Sequence, residues 1–175
     1  YDDDRLPDLY VSNFRAPNRL YHNQGDGTFT DVAPELQVTG PITSFPAWFW
    51  DFDNDGILDL FVSAYPNDIA HLAASYLGLP FDFELPHLYR GDGLGGFENV
   101  ASQRNLKRPS APMGSNFGDL DNDGYLDFYL GTGNIQYQDL MPNVMYHNQG
   151  GQNFADVTTA GGFGHLQKGH AIVFA

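Results

Sequence analysis

A twelve-residue pattern, DFDNDGILDLFV from Asp51 to Val62, returns 68 residues later as DLDNDGYLDFYL from Asp119 to Leu130. Such a repeat constrains the fold strongly, because each copy must fold alike and neighbouring copies must bury faces against one another. A third, degenerate copy opens the chain. DDDRLPDLYV, Asp2 to Val11, aligns Asp2 with Asp53, Asp4 with Asp55 and Asp8 with Asp59.

A second element recurs in step with the first. NRLYHNQGDGTFTDVA (Asn18 to Ala33), PHLYRGDGLGGFENVA (Pro86 to Ala101) and NVMYHNQGGQNFADVT (Asn143 to Thr158) share an apolar-Tyr pair, a Gly-rich turn and a Phe-x-x-Val finish. Both elements therefore belong to one unit of roughly 60 residues. Within it, short β-prone runs such as Ala47 to Trp50, Leu60 to Ala64, Leu88 to Arg90 and Phe97 to Val100 lie between Gly, Asn and Asp clusters. This is the pattern of hairpin-connected strands, about four to a unit.

The expected fold is all-β: four-stranded antiparallel propeller blades with cation-binding hairpin loops. One such sheet alone would leave an apolar face bare, so the units must stack. The repeats fall at roughly 1–46, 47–111 and 112–168, and GHAIVFA, residues 169–175, matches the strand that precedes each aspartate loop. Closed propellers use about 4 to 8 blades. About three repeats, cut out of phase, read as a partial propeller and as part of a longer chain or assembly. Asn67 to Gly78 departs from the pattern and reads as a short helical insertion in the second unit, with Asn67 as N-cap, apolar residues at Ile69, Leu72, Ala73 and Tyr76, and Gly78 as its stop.

The aspartates carry the chemistry. In Asp-x-Asp-x-Asp-Gly-x-x-Asp, carboxylates at positions 1, 3, 5 and 9 and the carbonyl of position 7 converge when the Gly permits a sharp turn. The second unit supplies Asp51, Asp53, Asp55, the carbonyl of Ile57 and Asp59, with Gly56 at the turn. The third supplies Asp119, Asp121, Asp123, the carbonyl of Tyr125 and Asp127, with Gly124. The opening copy offers Asp2, Asp4, the carbonyl of Leu6 and Asp8, but Arg5 stands where the Gly should be and Pro7 stiffens the turn. Like charges this close need a positive partner. An all-oxygen, multi-carboxylate set with six or more ligands selects Ca²⁺ over Mg²⁺ and over transition metals. An EF-hand is excluded, since Val62 and Leu130 occupy its bidentate Glu position and the flanks are strand-like.

Composition agrees. The formal net charge of −14 disfavours nucleic acid and anionic membrane surfaces. A 42% hydrophobic, 15% aromatic chain can build a core, so this is no disordered acidic tail. There are no cysteines, hence no disulfides and no thiolate site. No apolar run reaches the ~20 residues of a membrane helix, so direct membrane insertion is not expected.

The two full loops resemble the FG-GAP/VCBS repeats of integrin α-subunit propellers and of many bacterial secreted proteins. Gly131 to Ala175, GTGNIQYQDLMPNVMYHNQGGQNFADVTTAGGFGHLQKGHAIVFA, resembles more narrowly the cartilage acidic protein and ASPIC/UnbV group. The resemblance implies a calcium-stabilised propeller in an extracellular, cell-surface or periplasmic protein. Further repeats and an ASPIC/UnbV domain, lacking in this sequence, usually accompany it.

Other chemistry finds little support. His22 and His147 share one repeat position, which Arg90 fills in the second unit, and read as strand-end residues. His71 lies in the inserted helix, and His87, His165 and His170 have no acid partner at local spacing, so no triad or zinc site is assigned. GDGLGG, Gly91 to Gly96, lacks the Lys-Ser/Thr of a phosphate loop and reads as a β-turn. Trp48 and Trp50 alternate onto one face, as core or inter-blade packing. The leading functional expectation is a non-catalytic binding, adhesion or scaffold module for a protein or glycan ligand. The alternatives are a propeller of a calcium-dependent polysaccharide-active enzyme and an accessory subunit of a larger extracellular assembly.

Overall fold

The computed structural model describes residues 1–65, 68–133 and 140–174, which form three antiparallel sheets. The first contains β1 (Leu9–Val11), β2 (Arg19–Asn23) and β3 (Phe29–Asp31). The second contains β4 (Ser44–Trp50), β5 (Asp59–Ala64), β6 (His87–Gly91) and β7 (Phe97–Asn99). The third contains β8 (Pro112–Gly118), β9 (Asp127–Thr132), β10 (Val144–Asn148) and β11 (Phe154–Asp156). Strands follow chain order within each sheet, as in a meander. These are partial propeller blades.

Register places the aspartate loops. Trp50 pairs with Asp59 and Gly118 with Asp127, so each loop closes the hairpin between the first two strands of its blade. Both first strands shift register near their start, between Ser44 and Ala47 and between Pro112 and Gly114. Pro46 and Pro112 lie at these irregularities, where a missing N–H costs the ladder least.

Period-2 alternation in β5 divides the core between two seams. Leu60 and Val62 join Leu20, Ala33 and Val38 of the first blade, while Phe61 turns the other way. It packs on Phe128, at 5.0 Å between ring centroids, in a cluster with Trp50, Phe52, Tyr146 and Phe154 between the second and third blades. Trp48 stacks on Phe61 at 4.4 Å between centroids and on Phe117 at 5.9 Å, and Trp50 stacks on Phe154 at 5.8 Å. The expected shared face of the two tryptophans is thus the inter-blade seam. Each fully buried Phe contributes roughly 1.5–3 kcal/mol, so apolar packing, more than loop contacts, joins the blades.

The insertion folds as α1 (Ile69–Tyr76) between β5 and β6. Asn67, expected as its N-cap, lies outside the described residues. Asp68 takes that role, its carboxylate accepting the N–H of Ala70 at 2.9 Å. Of the four apolar positions only Leu72 is buried, against Tyr65, Ala111 and Met141. Tyr76 instead carries the guanidinium of Arg108 over its ring at 4.8 Å.

Residues 169–174 form no strand, although their sequence matches β4 and β8. They lie beside β8 and β9, where the Gly169 N–H donates to Thr132 O at 3.0 Å and Asn116 Nδ2 to Ile172 O at 3.2 Å. Among the described residues the segment enters no strand ladder, and without one a strand-like sequence does not become a strand. No helix among the described residues is long and apolar enough to cross a membrane.

Candidate metal centres at the aspartate loops

The loops are held open by their own carboxylates. At position 1, Asp51 accepts the N–H of Asp55 at 3.1 Å and of Gly56 at 2.9 Å, and Asp119 accepts those of Asp123 and Gly124 at the same distances. At position 5, Asp55 takes the N–H of Ile57 at 2.9 Å, Asp123 that of Tyr125 at 2.8 Å and Asp4 that of Leu6 at 2.7 Å. The turn needs two left-handed residues. These are Asn54 and Gly56, Asn122 and Gly124, and in the opening copy Asp3 and Arg5, at φ of 60° and 70°. Arg5 adopts the glycine conformation despite its side chain, at a cost of about 1–2 kcal/mol.

Position 9 ties each loop to the next hairpin. Asp59 is fully buried and accepts the N–H of Phe52 and of Gly91, both at 3.0 Å. Asp127, also buried, accepts those of Leu120 at 2.9 Å and Asn148 at 2.7 Å. Asp8 repeats the scheme, taking the Asn23 N–H at 2.9 Å and the Tyr1 amino group at 2.8 Å.

Position 3 is different in the two full loops, where no backbone N–H among the described residues donates to it; in the opening copy Asp2 accepts the Asp4 N–H at 3.3 Å. Asp53 Oδ2 accepts Arg90 Nε at 2.7 Å, while its Oδ1 is buried and has no hydrogen-bond partner. Asp121 Oδ2 meets His147 Nε2 at 2.9 Å, and Asp2 lies 3.4 Å from His22 Nδ1. His22, Arg90 and His147 occupy one repeat position on β2, β6 and β10. Their equivalence was visible in the sequence, but not that each side chain faces its own blade's loop.

Carboxylate oxygens of Asp51, Asp53 and Asp59 gather within 4.8 Å of one another, as do those of Asp119, Asp121 and Asp127. Positions 1, 3 and 9 therefore converge. Position 5 does not join them: Asp55 is paired with Arg90 Nη2, and Asp123 groups instead with Asp121 and His147. In the opening copy Asp2 and Asp8 gather with His22, with Asp4 apart. The residues at position 7, Ile57, Tyr125 and Leu6, sit at the turn and place their N–H on position 5.

Burial pushes the Asp59 carboxyl up to about 7, and the charges of Asp53 and Asp55 add to this against the pull of two backbone N–H groups. Asp127 is raised for the same leading reason. Each core of three carboxylates is thus a place where negative charge is disfavoured unless a cation shares the space. The donors are all oxygen, and one of them, Asp53 Oδ1, lacks any partner. That set fits a hard divalent ion.

Neighbouring loops touch. Asn54 Nδ2 donates to Gly124 O at 2.9 Å, and Asn148 Nδ2 donates to Phe52 O at 2.8 Å. Gly151, at φ 72°, packs so tightly that a Cβ there would lie 2.7 Å from Asp53 Cα. Elsewhere, His71 accepts the Asp82 N–H at 3.0 Å and His87 donates to the Tyr89 hydroxyl at 2.6 Å, so both serve local structure. The GDGLGG stretch is a turn, with Asp92 accepting the N–H groups of Leu94 and Gly96.

Mouse (Mus musculus) cartilage acidic protein 1 is 30% identical over 178 residues, covering 99% of the chain and 26% of that protein. The human (Homo sapiens) protein is 29% identical, covering 99% of the chain and 25% of its own length. The chain therefore spans about a quarter of these relatives. A family model described as an FG-GAP-like repeat matches residues 1–62 and 75–130, and the chain belongs to the FG-GAP-like repeat family.

Proposed function

We propose that loops 51–59 and 119–127 each bind one calcium ion, and that the chain acts as a calcium-stabilised, non-catalytic binding or scaffold module of an extracellular propeller. The observation that carries this is the buried, unpartnered Oδ1 of Asp53 beside Asp51 and Asp59. Positions 1, 5 and 9 have backbone partners that would explain an acidic turn with no ion; position 3 has none. Asp51, Asp53, Asp59 and the carbonyl of Ile57 would hold the ion in one loop, with Asp55 turning in from Arg90. Asp119, Asp121, Asp127 and the carbonyl of Tyr125, with Asp123, would hold it in the other. The opening copy, with Asp2, Asp4, Asp8 and the carbonyl of Leu6, is a weaker third site because it is strained at Arg5. A bound ion would supply the positive charge that lets these carboxylates stay ionised together. The resemblance to cartilage acidic protein 1 supports an extracellular setting. The blade surfaces would then meet a protein or glycan.

The test is thermal melting in chelator, in millimolar Ca²⁺ and in millimolar Mg²⁺. Selective binding to the folded state predicts a higher midpoint in Ca²⁺, by RT ln(1 + [L]/Kd) in free energy. Midpoints that coincide in all three conditions defeat the proposal.

A further inference from the structure

The two full loops share their aspartate ligands but differ in the cation their own blade supplies. Arg90 bridges Asp53 and Asp55, donating from Nε to Oδ2 of Asp53 at 2.7 Å and pairing through Nη2 with Oδ2 of Asp55. Asp55 is then fully engaged, since its Oδ1 already accepts the Ile57 N–H. In the third blade His147 reaches only Asp121, and Asp123 has no ion pair among the described residues. Asp53 is drawn in to 10% exposure under its arginine, whereas Asp121 stands at 50% under its histidine.

From this we infer that Arg90 is an affinity-setting residue for loop 51–59, a built-in countercharge with which a divalent ion must compete. The inference rests on the reading that the loops bind calcium. Two physical effects act in the same direction. An incoming ion must recover Asp55 from a guanidinium that is always charged and holds carboxylates with a fixed fork. It must also settle beside a fixed positive charge that remains after the exchange. His147 imposes less of either, because an imidazole is not permanently charged and here reaches a single carboxylate. Loop 119–127 therefore takes the ion first, and loop 51–59 fills at higher concentration. Repeats with one ligand pattern thereby report two concentration ranges, the difference lying on the adjacent hairpin.

The test exchanges the two residues between repeats. Loop 51–59 is followed by calorimetric Ca²⁺ titration in the full chain carrying Asp121→Asn, and loop 119–127 in the full chain carrying Asp53→Asn. The comparison is made at about pH 8, above the range in which an ordinary imidazole is protonated. With Arg90 37% exposed and partly screened, Arg90→His is expected to tighten Ca²⁺ binding at loop 51–59 on the order of tenfold. His147→Arg should weaken loop 119–127 by a similar factor. Arg90→Gln is the second variant, removing the charge while retaining a polar stem, and it should shift affinity in the same direction as Arg90→His. Melting midpoints in chelator confirm that each variant is folded. Binding that is unchanged or weaker in Arg90→His and Arg90→Gln overturns the inference while leaving the calcium reading intact. No Ca²⁺ binding in either parent overturns both.

Discussion

Asn54 of one aspartate loop donates its side-chain N–H to the backbone carbonyl of Gly124 in the next, at 2.9 Å across 70 residues of sequence. Asn54 is left-handed at φ 57°, and this backbone turn puts the amide on the neighbouring blade's side. Asn54→Gly keeps that conformation and removes only the bond, so it should cost about 0.5–1.5 kcal/mol. For a chain of this size that is a fall of roughly 2–4 °C per kcal/mol in melting midpoint. An unchanged midpoint would mean that the bond is not formed in solution.

Asp53 and Asp59 belong to one cluster but hold different parts of the structure. Asp59 anchors two backbone N–H groups in the interior. Asp59→Asn turns an amide donor toward one of them and should destabilise the chelated protein by about 1–3 kcal/mol. Asp53 has only the partly exposed Arg90 as partner, and Asp53→Asn should change the stability of the chelated protein by under about 1 kcal/mol while removing the share of the calcium response that loop 51–59 contributes. Urea melts of both variants, with and without chelator, separate scaffold from ligand.

The second residue of the loop has opposite surroundings in the two full copies. Phe52 is wholly buried between blades, touching Trp50 and Phe154, whereas the equivalent Leu120 is 45% exposed beside Tyr129, Met145 and Phe174. Phe52→Ala should cost about 3–5 kcal/mol. Leu120→Ala should cost less than about 1 kcal/mol, since half of the side chain already meets solvent. Equal effects of the two substitutions in denaturant titration would contradict the seam described above.

His87 predicts a dependence on pH. Its imidazole is packed against Gly40 and donates from Nδ1 to the Tyr89 hydroxyl at 2.6 Å, which in turn donates to Gly40 O at 3.0 Å. Burial holds its pKa below the ordinary 6.5, although the Glu84 carboxylate and the Gly40 carbonyl pull upward. The unfolded chain therefore takes up a proton before the folded one does. Stability from this group is complete above about 6.5 and is lost as pH falls through the lower folded value. Asp59 acts oppositely in chelator: its folded pKa is raised to about 7, so its contribution declines as pH rises toward that value. The readout is consequently the difference between wild type and His87→Gln, which should narrow on acidification below about pH 6.5. A constant difference would exclude His87 as its source.

Much of the blade architecture was legible because hairpins are local. Repeated Asp-Gly and Gly-rich turns mark where strands reverse, and β4 to β7 fall within a few residues of their apolar runs. The partners of position 3 were not legible, since Asp53 and Arg90 lie 37 residues apart and meet only after β6 has paired with β5. The hint was that His22, Arg90 and His147 share a repeat position, all capable of carrying positive charge. That Asp55 turns to Arg90, and Asp123 to Asp121 and His147, rather than into the clusters of positions 1, 3 and 9 was equally hidden, because spacing fixes which residues approach and not which way each carboxylate turns. Residues 169–174 show the converse. A strand-like sequence becomes a strand only where another backbone offers a ladder.

The contact between Gly151 and Asp53 also gives the row of blades a direction. The second blade's loop rests on a turn of the third, and the first blade's loop leans the same way, with Tyr1 and Asp2 nearest to Gly95 of the second. The blades overlap as roof tiles do, the first two loops each lying over the hairpin that follows it. Loss of a blade therefore has unequal consequences on its two sides: it strips the support from the preceding loop, while the following loop keeps its own.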